Sequence, residues 1–181
     1  MLIQPENFYT IHGTVKSGHF NVPENCKVFL QVINEHFQPF NTIIGFCLLP
    51  DSFLLLIKMR DEVSCEDFLK NSGLLPKAFQ TFEEPGGMLL MGTLLKNALS
   101  KCMIEKAGIQ QHKIEGIVTG ELGQCLASIH LSPVKSGYCT APGDWLYSSY
   151  NAYVSDKPTK IPREEVYELM GGKVSFTQLH G

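Results

Sequence analysis

The chain has 181 residues, of which 44% are hydrophobic and 18% charged, and its formal net charge is -3. That is the length of one ordinary domain with enough apolar residues to bury a core, which excludes a broadly disordered chain. The negative balance also excludes a uniformly basic nucleic-acid grip, since phosphate binding draws on lysine and arginine.

The first segment, Phe8 to Val15, is rich in β-branched and aromatic residues and runs into Lys16-Ser17-Gly18, so it reads as a strand and a turn. Pro23-Glu24-Asn25 then starts a helix in which Val28, Phe29, Val32, Ile33 and Phe37 recur at helical spacing. Two apolar runs, Asn41 to Leu49 and Ser52 to Met59, are separated by Pro50-Asp51 and predict adjacent strands. They fall short of the ~20 residues needed to span a bilayer. The Asp61 to Gly87 stretch predicts one helix or two short ones before an exposed Glu83-Glu84-Pro85-Gly86-Gly87 loop.

Met88 to Lys106 carries Leu90, Met91, Leu94, Leu95, Ala98, Leu99, Cys102 and Met103 on one stripe and is the strongest helix in the sequence. Ile109 to Val118 reads as a strand. Thr119 is the candidate N-cap of a helix through Leu131, ended by Pro133. The remainder holds Trp145, Tyr147, Tyr150 and Tyr153 within nine residues, a Pro158 to Pro162 break, an amphipathic piece from Arg163 to Met170, and Gly171-Gly172. Strands interleaved with helices on one face describe an α+β sandwich.

The six cysteines form no C-x-x-C pair and have no close histidine partner, so a structural zinc site is not expected and reduced, mostly buried thiols are. The N-terminus lacks the pattern of a signal peptide, and a cytoplasmic protein is expected.

Three motifs in order resemble the REP-associated tyrosine transposases, relatives of the small insertion-sequence enzymes that use a His-hydrophobic-His metal site and one tyrosine. The first is the set His19-Phe20, Phe29-Leu30 and Leu49-Pro50-Asp51. The second is Ser128-Ile-His-Leu-Ser-Pro-Val-Lys-Ser-Gly137, and the third is Pro142-Gly-Asp-Trp-Leu-Tyr-Ser-Ser-Tyr-Asn-Ala-Tyr153. The resemblance covers about Phe8 to Gly172. It implies a ferredoxin-like antiparallel sheet with helices packed on one face, residues 1–137 forming the domain and 138–181 a C-terminal extension packed on it.

The family's reaction needs two neutral imidazoles at alternate strand positions, which share a face and hold Mg²⁺ or Mn²⁺. A helix-borne tyrosine then attacks the phosphate. At the matching positions stand Ser52 and Leu54, and Leu54 has no lone pair to offer a metal. The nucleophile position is Ser128, whose hydroxyl is far less acidic than a phenol (about 10). The resemblance therefore implies no catalytic residue, no metal and no cofactor here. Recruiting His12, His112 or His130 with Asp51 or Glu115 into a new metal set is the minor alternative, because scattered histidines are more often solvated or structural.

The DNA-binding candidates are Lys96, Lys101, Lys106, Lys113, Lys135 and Tyr150. Glu105, Glu115 and Glu121 lie on the same elements as these lysines. For the Trp145 to Tyr153 cluster, base stacking competes with a structural role in pinning the C-terminal segment, which is the stronger reading. Three functions follow: a transposase-like protein that binds structured single-stranded or hairpin DNA without cleaving it, a domesticated interaction protein without DNA binding, or an active transposase with an unrecognised site. Monomer and homodimer fit equally well.

Overall fold

The structure, a computed structural model, describes residues 3–71, 87–101, 109 and 111–180, with backbone alone for 87–91. Strand β1 (Phe8–Thr14) leads through a short 3-10 turn to helix α1 (Pro23–Phe37). Strands β2 (Asn41–Leu49) and β3 (Ser52–Met59) follow, and then helices α2 (Glu62–Asn71) and α3 (Gly87–Lys101). Strand β4 (Gln111–Ile117) and helix α4 (Leu122–Lys135) complete the first part; helices α5 (Tyr150–Val154), α6 (Arg163–Leu169) and α7 (Lys173–His180) form the rest. The strand order is β2-β3-β1-β4, with every neighbouring pair antiparallel. This is the split βαβ arrangement of a ferredoxin-like sheet, as the resemblance implies.

The strands alternate, and each of the two sets of side chains finds its own cover. Tyr9, Ile11, Phe53, Leu55 and Ile57 face α1 to α3, where Cys26, Phe29, Ile33, Cys65, Leu95 and Leu99 complete one buried cluster. Inside it Phe20 meets Phe29 edge-on and Phe29 meets Phe53 at a tilt, with centroids 5.2 and 5.0 Å apart. This is the expected helical layer.

The opposite face is covered too, so the helices do not lie on one side alone. Ile44, Cys47 and Leu56 pack under Leu122, Leu126 and Ile129 of α4 and under Tyr153, Val166, Tyr167 and Phe176 of the C-terminal helices. The reason is visible in β2 and β3, whose second faces also carry Ile44, Cys47, Leu54 and Leu56, a patch too apolar to be left to water. Gly45 makes the approach of α4 close: a Cβ there would sit 2.5 Å from Leu126 Cδ1.

Two local expectations fail for identifiable reasons. Pro133 does not end α4, which runs on to Lys135. A proline cannot donate to the carbonyl four residues back, but here the Ser132 hydroxyl donates to the Ile129 carbonyl at 2.7 Å and replaces the missing bond. The helix stops at Gly137, whose φ of 74° allows a Schellman cap in which the Tyr138 amide reaches the Pro133 carbonyl. Thr119 does not cap α4 either; it opens a 3-10 turn, Thr119–Glu121, ahead of the helix. The expected Met88–Lys106 helix is described as far as Lys101, and Lys106 lies outside the described residues. Among the described residues no helix is long and apolar enough to cross a membrane.

Candidate functional site

β3 carries the two positions where paired imidazoles would be needed. Ser52 and Leu54 alternate with the buried Phe53 and Leu55, so they share the second face of the sheet, the one on which α4 lies. Across the ladder Leu54 stands opposite His12 on β1 and Cys47 on β2. Leu54 is half-buried and packs against the second cluster; His12 is exposed.

α4 lies against β2 and β3; Phe8 and Ile117, paired at one end of β1 and β4, join the same buried cluster, while the His12 end of these two strands is open. The open surface presents His12, Thr14, Gln111, Lys113 and Glu115, all exposed, with Thr10 half-buried among them. Register places Lys113 opposite His12 and Glu115 opposite Thr10. Lys113 is tied to Glu115 by a 2.7 Å ion pair.

The arrangement does not fit a divalent ion. One imidazole, His12, stands beside a leucine, and burial pushes the neighbouring Cys47 thiol up to about 11, against the thiolate that a metal would need. Ser128 is exposed on α4, while His130 turns inward and cannot serve it as a base. The other residues of a rebuilt set are scattered. His112 faces α3 and meets the Ser100 hydroxyl at 3.1 Å, and Asp51 accepts the Gly18 amide at 2.6 Å. Among the described residues no group of three or more His, Cys, Asp and Glu side chains gathers as a metal set.

No family model and no curated protein matches this chain. A solved structure of a REP-associated tyrosine transposase bound to a REP hairpin is similar to it at 15% identity, over 87% of this chain and 86% of that one, with a TM-score of 0.49. The likeness is a distant one of fold.

The lysine candidates do not converge. Lys96 and Lys101 are on α3, in the layer over the first face, whereas Lys113 is on the open second face and Lys135 is at the C-terminal end of α4. Tyr150 is half-buried, its ring 5.6 Å from that of His130 and 6.2 Å from that of Phe176. Its neighbours in the motif hold the C-terminal segment on the outer edge of β2. Trp145 Nε1–H donates to the Leu48 carbonyl at 2.9 Å, the Leu48 amide to the Tyr147 carbonyl at 2.9 Å, and the Ser149 amide to the Phe46 carbonyl at 2.9 Å. Tyr153, 1% exposed, donates its hydroxyl to the Ile44 carbonyl at 2.7 Å.

Behind this seam runs a buried polar chain that the sequence does not announce. His130 Nε2 is 2.7 Å from Ser149 Oγ, His130 Nδ1 is 2.8 Å from His180 Nε2, and His180 Nδ1 is 2.7 Å from the Phe176 carbonyl. That carbonyl can only accept, so His180 carries its proton on Nδ1 and accepts at Nε2. His130 then donates from Nδ1 and accepts the Ser149 hydroxyl at Nε2, and Ser149 accepts the Phe46 amide at 2.8 Å. Every group is satisfied with both rings neutral. Burial and then the neighbouring His180 hold His130 well below the ordinary imidazole value; burial lowers His180 too, against the Phe176 carbonyl, which raises it. The only sequence signal was His130 and Ser149 falling inside two motifs; His180, fifty residues from its partner, had none.

Proposed function

We propose that this chain is a DNA-binding protein on a transposase-like scaffold that carries out neither strand cleavage nor strand transfer, with residues 138–181 an integral extension of the same unit. The observation that carries the reading is the pair Ser52 and Leu54 sharing one face of β3 beside a single exposed imidazole, His12. The motifs Ser128–Gly137 and Pro142–Tyr153 supply the transposase resemblance, and the open polar part of the second face is the surface left for a strand of DNA.

The test is a binding titration with hairpin DNA bearing a single-stranded extension, at ~50 mM salt, where phosphate contacts are strongest. It is run beside a denaturing gel of the same mixture with Mg²⁺ or Mn²⁺. Weak, salt-sensitive binding and no covalent adduct are expected. An adduct abolished by one substitution would refute the loss of chemistry.

A second reading, a domesticated interaction protein without DNA binding, is favoured by the separation of the lysines over both faces and by the Lys113–Glu115 pair. Failure to bind at low salt selects it.

A further inference from the structure

Between α1, the outer part of β2 and the Thr159–Ile161 segment lies a cavity of about 590 Å³, within the size range of small-ligand sites. Leu30, Ile43, Phe46 and Ile161 give it apolar walls. All four are only partly buried, so the two core clusters leave apolar surface here that another molecule gains by covering. The far wall is held in place by Arg163, whose guanidinium donates to the Ala152, Ser155 and Lys157 carbonyls and fixes the turn that leads to Lys160.

Charge selects the kind of occupant. Among the described lining residues the charged side chains are Arg60 and Lys160, with no carboxylate. Lys27, Lys58, Lys70, Lys113 and Arg163 each reach an acidic partner, whereas Arg60 and Lys160 make no ion pair among the described residues. Asp61, next to Arg60 in the chain, turns both of its oxygens to Ser64, at 2.9 and 2.7 Å. The Arg60 Nε–H donates to the Gln38 carbonyl at 2.8 Å, which anchors the guanidinium at the rim and leaves its terminal NH₂ groups to a ligand.

We infer that this cavity binds a free medium-chain carboxylic acid, its apolar tail between the walls and its carboxylate on Arg60 and Lys160. A planar carboxylate matches the fork of a guanidinium and supplies the anion that the rim lacks. A cationic amphiphile of the same length would add a third positive charge to two that have no counterion. The site is on the β2 edge, away from the open end of β1 and β4, so it stands whether or not the chain binds DNA.

The experiment is calorimetric titration of the full chain with octanoate, octanol and octyltrimethylammonium at up to ~1 mM, a range that detects weak small-ligand binding. Octanoate is expected to bind at one site, with affinity falling roughly 4-fold for each methylene removed from its tail. Octyltrimethylammonium is expected to bind at least ~10-fold more weakly, from like-charge repulsion. Exchanging both cations, R60Q with K160Q, is expected to weaken octanoate at least ~5-fold, the scale of two exposed charge contacts, and to leave octanol unchanged. Ala152→Phe puts a ring into the cavity and is expected to abolish binding of both octanoate and octanol, with thermal melts of each variant showing that the fold is kept. No saturable octanoate binding, equal binding of the cationic amphiphile, or undiminished octanoate binding by folded A152F or by the folded R60Q/K160Q chain would overturn the inference.

Discussion

Acidification tests the buried histidine chain directly. His130 and His180 are both held below the ordinary imidazole value, so the unfolded chain takes up protons before the folded one does. Stability should therefore be full above about pH 6.5 and should fall as pH drops below it, by about 1.4 kcal/mol per pH unit for each proton gained on unfolding. His130 is fully buried and should contribute most of one proton. His180 is only half-buried, so solvent screens its share and the joint slope should stay below about 2.7 kcal/mol per unit. The geometry sharpens this expectation: a second proton on His130 would put an N–H donor against Ser149 Oγ, forcing that hydroxyl to turn to the Phe46 carbonyl, 3.2 Å away. The assay is urea unfolding from about pH 8 to about pH 5, comparing the chain with H180F, which keeps a ring over Phe176. His112 is also lowered by burial and gives a common background in both proteins, so the difference between the two slopes is the reading. Parallel profiles for wild type and H180F, together with an unchanged profile in H130F, would refute the neutral-chain assignment.

Phe176→Ala should cost about 3–5 kcal/mol, because this ring is 2% exposed and lies between Tyr153 at 5.0 Å and His180 at 4.0 Å. Val174→Ala on the exposed side of the same helix should stay within about 0.5 kcal/mol, and paired thermal melts decide. Tyr153→Phe leaves the Ile44 carbonyl without its buried donor and should cost about 1–3 kcal/mol by denaturant unfolding, with little change in the slope. The double substitution Ser52→His and Leu54→His should create measurable Ni²⁺ or Mn²⁺ affinity, with His12 opposite as a third imidazole. Calorimetry showing no binding by a folded double variant would mean that the two positions do not present to a common point.

The core elements were legible because their periodicities are local. β1, α1, β2 and β3 fall where alternation and helical spacing place them, and Pro50-Asp51 marks the hairpin between them. The course of α4 past Pro133 was not legible, since it depends on Ser132 supplying the bond that proline withholds. Helix α7 was missed because its buried side is little more than Phe176, too sparse a stripe to register before the tertiary partner is known. At the candidate site, sequence named Ser52, Leu54 and Ser128, but their surroundings arise from strand register: His12 and Cys47 meet Leu54 only once β1, β2 and β3 pair. That Asn41 is fully buried with neither side-chain polar atom hydrogen-bonded is equally a product of folding, as burial and lack of partners have no signature in a string of residues.

The seam formed by Tyr147 and Ser149 on β2 bears on how the molecule avoids its own kind. An uncovered outer strand offers a template on which another chain can add a strand and begin to aggregate. Here the Phe46 and Leu48 main-chain groups on that side are already engaged by the C-terminal segment, and Trp145 closes over the Leu48 carbonyl. The same residues that resemble a transposase motif thus act as a stopper on sheet growth. A chain cut before Pro142 would expose that edge, and its sedimentation should shift toward oligomers.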